Sequence, residues 1–183
     1  MEQKKIIQLA AKFFERNFLV FTVFITGACV LVVEVVAMRV LATYYGNTIF
    51  TSSSVITVIL AALSIGYYFG GKFSDKNPSL KWFFTIILLS GLCLLFLHFL
   101  SEIILPVLSL IFSIVLGPLM SSLVLFFFPA LLLGTLSPYT IKLQSIYFKE
   151  QGIGAISGKV FFWSTLGSIA GSLLTGFILI PNF

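Results

Sequence analysis

The chain has 183 residues, 59% hydrophobic and 9% charged, with a formal net charge of +5. Soluble domains carry roughly 25% charged residues, so a water-soluble fold is excluded: too few polar side chains exist to cover it. The basic excess does not imply nucleic acid. It sits in three clusters (Lys4, Lys5, Lys12 and Arg16; Lys72, Lys76 and Lys81; Lys142, Lys149 and Lys159), as expected of the cytoplasmic ends of membrane spans.

In lipid, only helices or closed barrels satisfy the backbone. A barrel would show alternating strands of about ten residues, whereas the apolar runs here are unbroken. The expected fold is all-α, a polytopic transmembrane helix bundle. Residues 1–17 form a basic segment in which Ile6, Leu9, Ala10, Phe13 and Phe14 recur at helical spacing. They suit an amphipathic helix on the cytoplasmic surface or a basic tail that only sets orientation. The apolar run that follows is too long for a cleavable signal. Residues 18–183 make the transmembrane domain, with the N-terminus cytoplasmic in the inner (plasma) membrane.

The first span is Phe18–Tyr44, ending at a Gly46-Asn47 turn. It contains Glu34 and Arg39. A charge near the bilayer centre costs about 2.5–3.5 kcal/mol on insertion scales, so these two are the first candidates for a ligand site. Gly27, Leu31, Glu34 and Met38 share one helix face, since residues three and four apart are neighbours. Arg39 lies about 140° around the wheel from Glu34 and is not its natural partner. A structural hydrogen bond that fixes helix packing is the alternative reading of Glu34.

The second span, Ile49–Gly70, opens on Thr51-Ser52-Ser53-Ser54 and closes on Gly66-Tyr67-Tyr68-Phe69-Gly70. Ser54 and Thr57 are further ligand candidates; Gly66 and Gly70 suit close helix packing. A polar loop, Gly71–Lys81, precedes the third span, Trp82–Leu100. Gly117-Pro118 divides residues 101–141 into a short half, Ile103–Leu116, interrupted by Pro106, and a fuller half, Leu119–Ile141. A short apolar segment is often re-entrant or interfacial, and that keeps all basic clusters on one side. Five full spans plus one short partial helix are therefore expected, with six spans as the alternative.

The last span, Val160–Pro181, carries a stripe of small residues, Ser164, Gly167, Ser168, Gly171, Ser172 and Thr175. Gly167 and Gly171 form a helix-packing motif; a polar lining beside a pathway is the other reading. Cys29 and Cys93 read as reduced core thiols. His98 has only Glu102 nearby, so no metal site is expected. Gly152, Gly154 and Gly158 lack the strand and third glycine of a dinucleotide fingerprint, and no cofactor is expected.

Four segments together resemble a known membrane domain. Glu34-Val-Val-Ala-Met-Arg39-Val-Leu-Ala-Thr-Tyr-Tyr-Gly46 resembles the first helix of the membrane domain in fused spermidine-synthase-like proteins. Gly66-Tyr-Tyr-Phe-Gly-Gly71-Lys-Phe-Ser-Asp75, Pro129-Ala-Leu-Leu-Leu-Gly134-Thr-Leu-Ser-Pro138-Tyr-Thr-Ile-Lys142 and the Gly158–Pro181 segment follow in that domain's order. The domain is itself similar to half of a major facilitator superfamily transporter. Gly71-Lys-Phe-Ser-Asp75-Lys76 resembles the start of that superfamily's cytoplasmic signature, which implies a latch role for Asp75; Pro78 and Ser79 depart from the pattern.

The soluble aminopropyltransferase domain of the fused members has no counterpart here, so no catalytic residue carries over and no enzyme activity is expected. The resemblance implies a transporter-like module that binds or moves a small cationic solute such as a polyamine. Its partners would be the lipid bilayer and a second membrane half, supplied by a homo-oligomer or another chain. The alternative is a non-catalytic membrane anchor for a separate aminopropyltransferase, or a truncated fragment of a membrane-bound spermidine synthase. The basic loops could also meet anionic headgroups, although topology already accounts for them.

Overall fold

The computed structural model describes residues 2–148 and 151–182, with side chains from Asn17 onward. Lys149 and the side chains of Lys4, Lys5, Lys12 and Arg16 lie outside the described residues, as do the side chains that would make residues 1–17 amphipathic. The described backbone is helical with no strand: α1 (Glu2–Tyr45), α2 (Ile49–Lys76), α3 (Leu80–Ile111), α4 (Gly117–Tyr147) and α5 (Ile153–Leu174). A π-helical turn, Thr175–Leu179, joins α5 to a final short α6, Ile180–Asn182.

Five helices are long and apolar enough to cross a membrane, the first counted from Asn17. Large apolar side chains point away from the bundle: Leu110 is 88% exposed, Phe177 77% and Leu95 71%. Such a surface suits hydrocarbon, and in water it would be a large apolar patch. The chain is a multi-pass membrane protein.

The expected five spans are present, and the short sixth piece is α6. Ile103–Ile111 is not a separate partial helix; it continues α3 through Pro106, and residues 112–116 form the link to α4. Proline is tolerated in membrane helices because neighbouring groups take up the freed backbone carbonyl. The 32 residues of α3 span about 48 Å, more than the ~30 Å hydrocarbon core. The helix therefore projects beyond the core or tilts within it.

Local chemistry sets the helix ends. Gly46 takes a positive φ of 79° after α1, a conformation glycine adopts without Cβ clash. Thr48 then caps α2, its side-chain oxygen accepting from the Thr51 N–H at 3.2 Å. Ser79 caps α3 by accepting from Lys81 N–H at 3.3 Å. Pro118 sits in the first turn of α4, where its missing N–H costs nothing.

Helix α4 is the centre of the bundle and packs on the other four main helices. The closest pairs are not neighbours in sequence: α2 packs mainly on α4, and α1 on α5. Both pairs run parallel. Gly66 and Gly70 of α2 meet Leu131 and Thr135 of α4, while Phe24 and Ala28 of α1 meet Gly167 and Gly171 of α5. Lipid gives no hydrophobic drive between helices, so association comes from close packing and hydrogen bonds. Two apolar clusters fill the interior. Leu41, Val55, Ile59, Leu105 and Phe126 belong to one, towards the Gly46 turn; Leu19, Phe83, Leu136 and Leu143 belong to the other, towards the α2–α3 loop.

Five alternating helices put the start of the first span, the α2–α3 loop and the α4–α5 loop at one end. Lys72, Lys76, Lys81, Lys142 and Lys159 lie towards that basic end. Tyr139 of α4 ties it together. Its hydroxyl accepts from the Ser79 N–H at 3.2 Å, lies 3.0 Å from the Ser79 carbonyl and also bonds the Asn77 carbonyl. At the opposite end the Tyr45 hydroxyl and Ser121 Oγ are 2.9 Å apart, and Gly117 lies against the Tyr45 ring.

Candidate functional site

On α1, Val23, Gly27, Glu34, Leu41 and Tyr45 fall on one stripe by their spacings of four and seven. Val23, Leu41 and Tyr45 are buried, so the stripe faces the bundle interior. Glu34 shares this direction yet is only half-buried. It makes no hydrogen bond or ion pair with any described residue. Arg39 is exposed and, 140° away on the wheel, does not reach it.

Below Glu34, towards the basic end, a cavity of about 180 Å³ lies where the α1–α5 pair meets the α2–α4 pair. Gly27, Val30 and Leu31 form its α1 wall; Leu31 is one turn from Glu34. The polar wall comprises Thr26, Tyr67, Ser137, Ser164, Thr165 and Ser168. Ser168 Oγ donates to the Gly27 carbonyl at 2.9 Å and Thr26 Oγ1 to the Val23 carbonyl at 3.1 Å. Ser137 is 8% exposed, and its hydroxyl has no partner among the described residues. Its oxygen is not sealed off, unlike the buried unpaired Ser122 Oγ and Gln144 Nε2, so this wall suits water or the polar groups of a solute.

The other ligand candidates lie apart from this cavity. Ser54 is buried in α2 two turns or more before the cavity wall, and Thr57 is exposed. Asp75 is at the basic end, where its Oδ1 accepts from Lys142 Nζ at 2.7 Å and so links α2 to α4. His98 and Glu102 face each other at 3.5 Å on exposed α3. Among the described residues no three His, Cys, Asp or Glu side chains gather.

The packing glycines meet backbone. A Cβ on Gly27 would stand 2.2 Å from the Ser164 carbonyl oxygen, and one on Gly66 2.4 Å from that of Leu131. On Gly70 it would be 2.6 Å from the Thr135 Cα; on Gly167 and Gly171, 1.9 and 2.4 Å from the Phe24 and Ala28 carbonyl oxygens. A Cβ on Gly134 would stand 3.0 Å from the Leu63 carbonyl oxygen; this glycine completes the α2–α4 contact, and the sequence does not mark it for packing. Nor does it mark Ser137 and Tyr67. Their signal was weak, a serine between two prolines and one aromatic among many.

Compared with family models, curated proteins and solved structures, the chain matches none.

Proposed function

We propose that this membrane protein is a transporter-like module that binds a small cationic solute at Glu34. A polyamine is the class its sequence resemblance suggests. The position of Glu34 carries this reading. Glu34 is half-buried on the α1 stripe that carries buried Val23, Leu41 and Tyr45. Leu31, one turn away, lines a hydroxyl-rich cavity, and no lysine, arginine or histidine of the described chain pairs with Glu34. Ionisable groups held within spans mark solute or ion pathways by default. A bound cation would offset the cost of burying the carboxylate, and the Ser137, Thr165 and Tyr67 hydroxyls would accept from its N–H groups.

A single five-helix bundle would form one side of such a pathway, because transporter repeats meet around a midplane site. A second copy, or a second membrane half, supplies the other side in this proposal. Uptake of radiolabelled spermidine into vesicles carrying the purified protein tests it. Glu34→Gln should reduce uptake to the level of empty vesicles, and Glu34→Asp should retain part of it. Full uptake by Glu34→Gln removes the site.

One observation favours a second reading, that of a non-catalytic membrane anchor. The glycine contacts leave α1–α5 and α2–α4 little freedom to separate. An anchor would give no uptake above empty vesicles even with Glu34 intact.

A further inference from the structure

Gln144 of α4 is a polar side chain that the bundle buries and leaves unsatisfied. It is 2% exposed, and its Nε2 is sealed from solvent with no hydrogen-bond partner. It lies seven residues beyond Ser137, so the two share one face of α4. Ser137 lines the cavity where the α1–α5 pair meets the α2–α4 pair, and Gln144 continues that wall towards the basic end. The residues of α1 and α5 buried on the basic side of Thr26 are Leu19, Val20, Val23, Ile156 and Val160. All are apolar and offer an amide no side-chain partner. Ser122 Oγ is also sealed and unpaired, but a serine can turn its hydroxyl to a carbonyl of its own helix, as Ser90 and Ser101 do. The Gln144 amide makes no such bond.

The two helix pairs are stiff within themselves and joined to each other at the end away from Gln144. Gly66 and Gly70 hold α2 against α4, and Gly167 and Gly171 hold α5 against α1. At the Gly46 turn Thr51 Oγ1 donates to the Gly46 carbonyl at 2.9 Å, and the Tyr45 hydroxyl meets Ser121 Oγ. Gln144 lies 23 residues beyond Ser121, roughly 35 Å along α4. A small rotation of one pair about the Gly46 turn therefore moves the seam most at Gln144. We propose that the seam between the pairs parts at the basic end, with Gln144 as its gate, and so opens the cavity to water on that side. In this closed form the amide is dry and unpaired; in the open form water meets it. An unpaired buried amide penalises the closed form alone, which narrows the gap between the two. The gate concerns how the cavity is reached and stands whether or not Glu34 binds a cation.

Nitroxide pairs read both ends of the seam in the full chain, held in lipid nanodiscs with Cys29→Ser and Cys93→Ser in the background. Lys76→Cys with Ile153→Cys spans α2 to α5 at the basic end. Ile49→Cys with Phe177→Cys spans the same two helices at the other end, and all four positions are exposed. Electron–electron distance measurements should give two populations for the first pair and one for the second. Gln144→Met removes the amide at similar length and should shift the first pair towards its shorter distance by about tenfold, as the loss of an unpaired buried amide implies. Gln144→Glu sets a group there that needs water and should shift it towards the longer distance. A single narrow distance at the basic end in the parent and both variants would overturn the gate. It would also fall if Gln144→Met and Gln144→Glu moved the populations in the same direction, since mere loosening of the fold would do that.

Discussion

A methyl group added to Gly70 would stand 2.6 Å from the Cα of Thr135, so α2 and α4 touch there backbone to backbone. No side-chain rotation can relieve that overlap. Gly70→Ala should destabilise the bundle by about 1–3 kcal/mol, the usual cost of overpacking. Gly91→Ala is the control, because nothing lies within 4 Å of that position. It should be neutral or stabilise by up to about 1 kcal/mol, the helix propensity of alanine over glycine. Denaturation of both variants in detergent micelles checks the difference.

The Tyr139 hydroxyl is the main side-chain tie between α4 and the α2–α3 loop. Tyr139→Phe keeps the ring among Phe73 and Phe83 but removes the hydroxyl's bonds to Ser79 and Asn77, which keep their own bond, Ser79 N–H to the Asn77 carbonyl at 2.8 Å. A loss of about 0.5–1.5 kcal/mol follows, the net worth of an ordinary hydrogen bond. Hydrogen exchange at residues 77–81 should rise more than at the Gly46 turn. Uniform exchange across both ends would remove the tie.

The Asp75–Lys142 pair is a weaker link than its 2.7 Å separation suggests. The Asp75 side chain is 67% exposed, and water-facing ion pairs are worth about 0–1 kcal/mol. A double-mutant cycle with Asp75→Asn and Lys142→Gln should give a coupling in that range that shrinks in salt. A coupling above about 2 kcal/mol would mean the pair is dry in the membrane.

Helix parity fixes which loops share a side. In a background of Cys29→Ser and Cys93→Ser, single cysteines at Asn77 and Gly152 should react with an impermeant maleimide from the same face. One at Ser113 should react from the other. If Gly152 and Ser113 label together, the five-span order fails.

Much of the architecture was legible because membrane spans are written as continuous apolar runs between polar breaks. The Gly117-Pro118 break marks the start of α4, since proline suits a first turn. The polar pair Ser101-Glu102 looks like the end of the third span at Leu100, whereas α3 runs on through it and through Pro106 to Ile111. The last span begins at Ile153 rather than Val160: Gly154, Ser157 and Lys159 lower the hydropathy without ending the helix. Gly167 and Gly171 were visible as small residues one turn apart, but what each meets is decided by a helix over a hundred residues away. The cavity wall was hidden for the same reason. Ser137, Ser164 and Tyr67 come from three helices, and no local pattern relates them.

The pairing of α1 with α5 and α2 with α4 also has a meaning for biosynthesis. Each early helix must wait in the bilayer until a much later one leaves the ribosome, so α1 and α2 have to insert as independent units before their partners exist. During that interval the glycine faces of Gly66 and Gly70 stand bare to lipid. A nascent chain stalled before residue 117 would display them, giving membrane quality control a handle that the finished bundle conceals.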